Sequence, residues 1–134
     1  MTFRKSLSSS VYAVLLLLLP SSALAADSAS SGAAICFARV ASNGALQSSG
    51  GKGTRTVTVS RDADGLYTVT CNGRYPPQGS AAKVVVNAAA EVTFASAAGN
   101  ASSYSSTQIE IAVTTWQGST QSDQNFTLLV YLGR

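Results

Sequence analysis

The stretch "TRTVTVSRDADGLYTVTCN", residues 54–72, decides the fold class. Two alternating runs, 54–60 and 66–72, flank "RDADG". Strand side chains point to opposite faces with a period of two, so Val57 and Val59 belong with Tyr67, Val69 and Cys71. Thr54, Thr56, Thr58 and Ser60 face the other way, beside Thr68 and Thr70. Asp and Gly accept the dihedrals of a tight turn, so this stretch is an antiparallel hairpin with one apolar and one hydroxyl-rich face.

The same grammar extends in both directions. "ICFARV" precedes an Asn-Gly turn at Asn43-Gly44. Downstream, "RYPPQGS" is a loop, because proline cannot donate to a central ladder. "KVVVNA" and "EVTFAS" read as two further strands, followed by a serine-rich loop, "GNASSYSS". "QIEIAVTTW" and "NFTLLVYL" close the chain around "QGSTQSDQ". No segment sustains helical periodicity. About seven short strands at this spacing predict an all-β fold, a small antiparallel β-sandwich. Parity assigns Val84, Val86, Val92, Phe94, Ile109, Ile111, Val113, Phe126, Leu128, Val130 and Leu132 to its inner face.

Residues 1–25 have the form of a cleavable signal peptide: Arg4 and Lys5, the apolar run from Val11 to Leu19, then Pro20 and the small residues Ala23 and Ala25. That run is too short for the roughly twenty residues that span a bilayer, and no other segment offers a membrane span. Residues 26–34 are a small, polar leader, and 35–134 form a single domain. The net charge of +3 falls to about +1 once Arg4 and Lys5 are removed, which gives no electrostatic case for a nucleic-acid partner. The chain is therefore expected outside the cytoplasm, in the periplasm, at the cell surface or in the medium.

Two cysteines in a short exported chain point to a disulfide, and Cys36–Cys71 is the single intramolecular pairing. Cys36 shares parity with Ala38 and Val40, so both thiols fall on apolar faces and the bond is expected to cross the core. Closing a loop of about 35 residues is worth about 4 kcal/mol in the chain-entropy account. That is a large share of the ~5–15 kcal/mol that holds a domain together.

Catalytic chemistry finds little to stand on. With no histidine, Ser-His and Cys-His nucleophile pairs and the usual zinc sites are absent, so no metal and no cofactor is expected. Asp62-Ala63-Asp64-Gly65 starts like a calcium loop but lacks the third acidic position and the distal glutamate, and a tight turn accounts for it. Glu91 with Glu110 is the carboxylate pair to check for a small hydrolase. The expectation is a chain that is not an enzyme.

What remains is surface. Parity leaves Phe37, Leu129, Tyr131 and Trp116 pointing outward, and Tyr75 and Tyr104 sit in or beside loops. These six are the candidates for contact with an unknown protein or glycan partner, or with further copies in a homo-oligomer. The outward hydroxyl row is read as a wet strand face.

Residues 35–73, "ICFARVASNGALQSSGGKGTRTVTVSRDADGLYTVTCNG", resemble a diffuse group of exported bacterial β-proteins and repeats. The shared pattern is A-x-V-x-x-x-G-x-L, a glycine-rich gap, T-x-T, G-x-Y-x-V-x-F and a closing F-x-L-x-V. Here it falls on Ala38-Val40, Gly44-Leu46, Thr56-Thr58, Gly65-Tyr67-Val69 and Phe126-Leu128-Val130, with Cys71 replacing the usual phenylalanine. The resemblance implies an exported β-domain and transfers no functional residue. The cysteine separation and the alternating last strand are also similar to chaperone–usher pilin subunits, although no donor strand precedes Cys36. The expected role is a non-catalytic interaction module, with a structural subunit assembling into trimers or fibres through its terminal strands as the alternative.

Overall fold

A computed structural model of the chain describes residues 33–77 and 83–133. The signal-peptide reading and most of the leader lie outside those residues. Nine strands form two antiparallel sheets, and the described residues contain no helix. They are β1 (Cys36–Val40), β2 (Leu46–Gly50), β3 (Thr54–Ala63), β4 (Leu66–Gly73), β5 (Lys83–Ala90), β6 (Ala95–Tyr104), β7 (Gln108–Gln117), β8 (Thr120–Gln121) and β9 (Phe126–Gly133). One sheet runs β2-β1-β9-β5 and the other β3-β4-β7-β6, with β8 beside β7. This is the β-sandwich that the alternation predicts.

The decisive hairpin is β3–β4. Its ladder places Val57 opposite Cys71, Val59 opposite Val69 and Thr58 opposite Thr70. The strands run further toward the turn than the pattern alone implied. Ala63 pairs with Leu66, so the reversal is two residues, Asp64 and Gly65, the latter at φ 70°. A residue with a side chain rarely adopts that dihedral, which is why glycine stands there. Thr54 leaves the hydroxyl row: a register shift separates it from Thr56, and it is bound to the Ile35 carbonyl and to Tyr75 Oη (2.8 Å).

Between the sheets lies a core of Cys36, Ala38, Val40, Tyr67, Val69, Ile109, Ile111, Val113, Phe126, Leu128 and Val130, all at most 1 % exposed. Burying a side chain of this size contributes about 1.5–3 kcal/mol each. The Tyr67 and Phe126 rings meet at 5.0 Å, tilted by 60°. Cys36 on β1 and Cys71 on β4 are disulfide-bonded across this core, Cα to Cα 6.4 Å. The bond joins one sheet to the other and points to an oxidising environment.

Two regions depart from the sequence expectation. "EVTFAS" is not a strand: 91–94 is the turn between β5 and β6, where Ala95 N donates to Val92 O at 3.2 Å. Val92 and Phe94, assigned to the core by parity, are 51 % and 87 % exposed. The "GNASSYSS" segment, expected as a loop, supplies residues 99–104, six of the ten residues of β6. Pairing with β7 overrides the poor strand propensity of alanine, serine and glycine there. Gly99 shows why small residues are needed: a Cβ would lie 2.6 Å from Val86 Cγ1 of the facing sheet. The strand β2 was also missed, since "LQSSG" alternates weakly and is held by its pairing with β1.

Candidate interaction surfaces

Antiparallel pairing sorts the connections into two ends. One end carries the β1–β2, β3–β4 and β5–β6 turns together with the segment from β7 through β8 to β9. The other carries the start of β1, the end of β9, the crossing at 51–53, the segment 74–77 that follows β4, and the β6–β7 turn.

At the turn end, Asp123 ties the connections together. Its carboxylate accepts from Arg61 Nε at 2.8 Å and from Gly65 N at 2.7 Å, and lies 3.0 Å from Tyr67 Oη. Tyr67 Oη also reaches the Ser42 carbonyl at 2.6 Å. The Arg61 hydrogen bond holds the Asp123 carboxyl below its ordinary value. Burial first, and then Asp123, push the Tyr67 hydroxyl up to about 12. Asn125 Oδ1 accepts from Ser42 N at 2.7 Å, and Thr115, fully buried, donates to the Ser122 carbonyl at 2.7 Å. This network fixes the turns, and its charged members, Arg61 and Asp123, are paired with each other.

The carboxylate pair does not converge. Glu91 receives Arg39 through two hydrogen bonds, 2.7 and 3.0 Å, and Thr127 Oγ1 at 3.0 Å, beside the outer face of the β1–β9 sheet. Glu110 stands on the outward face of β7, in the opposite sheet, near Ser102. Asp62 accepts from Ser60 and Thr68, and Asp64 pairs with Arg61. Among the described residues no group of three His, Cys, Asp or Glu side chains could hold a metal ion. No helix among them is long and apolar enough to cross a membrane.

The six surface candidates separate into three places. Phe37, Leu129 and Tyr131 lie half-buried on the outer face of the β2-β1-β9-β5 sheet. Phe37 pairs across to Leu129, and its ring covers Gly50 on the other side: a Cβ at Gly50 would stand 2.7 Å from Phe37 Cε1. Tyr131 pairs across to Val85, which is 45 % exposed. Trp116 is alone on the outer face of the second sheet, half-buried between Ser96 and Gln121.

Tyr75 is a correction. It is 5 % exposed and belongs to the core, with Oη near Thr54 and its ring 6.3 Å from Tyr104. Tyr104 is half-buried beside it and donates to the Pro76 carbonyl. The terminal strands are corrected too as routes of strand pairing. β1 sits between β2 and β9, and β9 between β1 and β5, so neither has a free edge.

Sequence parity missed the most exposed ring in the described chain. Phe94 adopts φ 64°, the single positive value among non-glycine residues described, and its carbonyl accepts from Gly118 N at 2.9 Å. A bulky residue in that region stores backbone strain of order 1–3 kcal/mol, and such strain gathers where function holds a side chain in place. The available signal was the long small-residue context on both sides of 91–94, which builds no core of its own. Among the described residues, three of the four large exposed apolar side chains, Val85, Val92 and Phe94, lie on β5 or on the turn that follows it.

Comparison with protein-family models, curated proteins and solved structures finds no match to the chain.

Proposed function

We propose that the chain is an exported, non-catalytic interaction module whose contact surface is the β5 side of the sandwich. That surface begins on the outer face at Phe37, Leu129, Tyr131 and Val85 and ends on the turn at Val92 and Phe94. The observation that carries this is the 87 % exposure of Phe94 on a strained backbone, with the exposed Val92 in the same turn and the exposed Val85 further back along β5. Large apolar side chains that a monomer leaves in water on one margin point to a binding site. The engaged state of each acidic group at the turn end supports a binding role over a hydrolytic one.

The test is retention of fluorescently labelled residues 26–134 on intact producing cells and on their isolated envelopes. Saturable retention is expected, and Val92→Ser/Phe94→Ser should lower it at least tenfold without changing the melting temperature. No retention of either protein, or equal retention of both, would end the proposal.

A further inference from the structure

Charge is segregated along the strand axis. Asp62, Asp64, Glu91 and Asp123 stand toward the turn end, and the ion pairs among the described residues, Arg39–Glu91, Arg61–Asp64 and Arg61–Asp123, lie there with them. The opposite end is cationic. Lys52 lies in the crossing from β2 to β3, Arg55 is the second residue of β3, Arg74 follows β4, and Lys83 begins β5. Lys52, Arg55 and Arg74 are exposed and form no ion pair with a described residue. The backbone brings these three together: Thr54 pairs with Gly73, and Arg74 N donates to the Gly53 carbonyl at 2.8 Å. Among the described residues the one acid in this half is Glu110, on the outer face of β7, two strands away from β3. The eight residues of β4 span about 27 Å. Exposed charges act over only about 8 Å at physiological salt, so the acids of the turn end do not cancel the cationic end.

The same half of the molecule carries apolar surface. Phe37 is the second residue of β1, Val85 the third of β5, and Tyr131 lies two residues before the end of β9. With Leu129 they share the outer face of the β2-β1-β9-β5 sheet. Pro76 and Pro77 are exposed at the end itself, where Tyr104 donates to the Pro76 carbonyl.

We propose that the cationic end and the outer face adjoining it dock on the surface of an anionic lipid bilayer. That outer face is part of the interaction surface proposed above, on which this assignment rests; Val92 and Phe94, at the far end, are left to a separate partner. Charge complementarity and the neighbouring apolar groups together select the occupant. Peripheral binding to a bilayer grows with attraction to anionic headgroups and with apolar area buried at their level. A tyrosine such as Tyr131, apolar in body and polar at its tip, suits that level. A polyanion in water would engage Lys52, Arg55 and Arg74 and leave Phe37, Val85 and Tyr131 unused. A plane also meets both sheets at once, the β3–β4 cations on one side and the start of β5 on the other.

The test is co-sedimentation of residues 26–134 with vesicles of phosphatidylcholine alone, and of phosphatidylcholine with an equal part of phosphatidylglycerol. Binding to the anionic vesicles is expected, with none to the neutral ones, and high salt should release it. Lys52→Gln/Arg74→Gln should weaken binding about tenfold at an unchanged melting temperature, and Lys52→Arg/Arg74→Lys should bind as the wild type. Ser119 and Thr120 are exposed at the turn end. Ser119→Glu/Thr120→Glu lowers the net charge by the same amount there and should leave binding within about twofold, beyond the reach of the cationic end. Val85→Ser/Tyr131→Ser should weaken binding to vesicles and leave binding to dextran sulfate beads as it was. Absence of binding to anionic vesicles would overturn the proposal, as would equal losses in the glutamine and glutamate variants. Vesicle binding indifferent to Val85→Ser/Tyr131→Ser would replace the bilayer by a soluble polyanion and overturn it too. Envelope retention that depends on Val92 and Phe94 stands or falls separately, because vesicles carry no protein or glycan.

Discussion

On the β2–β3 side of the sandwich, the two sheets are stapled. Cys36 on β1 and Cys71 on β4 are bonded one strand in from the margin, and Arg61 gathers Asp64 and Asp123 at the turn end. On the β5–β6 side there is no covalent tie and no ion pair among β6 residues as described. There the sheets are held by close approach, Gly99 lying against Val86, Ala88 and Leu128. One side is held by a covalent bond and by ion pairs at its turn end. The other is held by the contact of small residues with the facing sheet. The same two-sheet core is therefore closed by different physical means at its two margins.

Breaking the staple should have the largest effect on that contrast. Reduction, or Cys36→Ala/Cys71→Ala, should lower stability by about 4 kcal/mol, measured by urea unfolding. Hydrogen exchange should then show the β1 and β4 amides losing the protection that sets them apart from β6. A stability unchanged on reduction would remove the covalent half of the comparison.

Next is the polar tie at the turn end. Asp123→Ala strips partners from Arg61, Gly65 N and Tyr67, and should cost about 2–3 kcal/mol, again by urea unfolding. The same carboxylate sets a pH dependence. Its folded value lies below the unfolded one, so its stabilisation is present above the unfolded value and is lost as pH falls through the folded one. Wild-type stability should decline on acidification below about pH 4, and Asp123→Asn should flatten that decline.

Filling the close approach on the unstapled side should cost somewhat less. Gly99→Val drives methyl groups into Val86 and should destabilise by about 1–3 kcal/mol, read as a lowered melting temperature. Phe94→Gly should act in the opposite direction and most weakly. It relieves a positive φ and removes an exposed ring, so stability should rise by about 1 kcal/mol while envelope retention is lost. A destabilised Phe94→Gly would mean that the ring packs within its own chain.

How much of this could be read beforehand varies with the side of the molecule. The hairpin 54–72 was legible because β-branched and aromatic residues alternate there with hydroxyls, and "DADG" can do little but turn. The disulfide was legible because two cysteines have a single intramolecular pairing and both fall on the apolar faces of their strands. On the β5–β6 side the pattern misled. Val92 and Phe94 alternate like core residues, yet β5 pairs with β9 as far as Ala90, and the chain must then reverse within four residues to reach β6. Tyr75 misled in the reverse direction: beside two prolines it reads as a loop ring, but Thr54 and Tyr104 close over it.

By itself the sequence determined the all-β class, the existence and inner face of the β3–β4 hairpin, the inner faces of β7 and β9, and the one disulfide. Those depend on local periodicity and on counting, which neighbours in the chain suffice to specify. Tertiary structure alone decided that "ASAAGNASSY" is a strand, that β1 and β9 are interior, that Glu91 and Glu110 part to opposite sheets, and that Phe94 stands in water. Alanine, serine and glycine carry almost no strand preference of their own. Their conformation is set by the partner strand and by how closely the facing sheet can come.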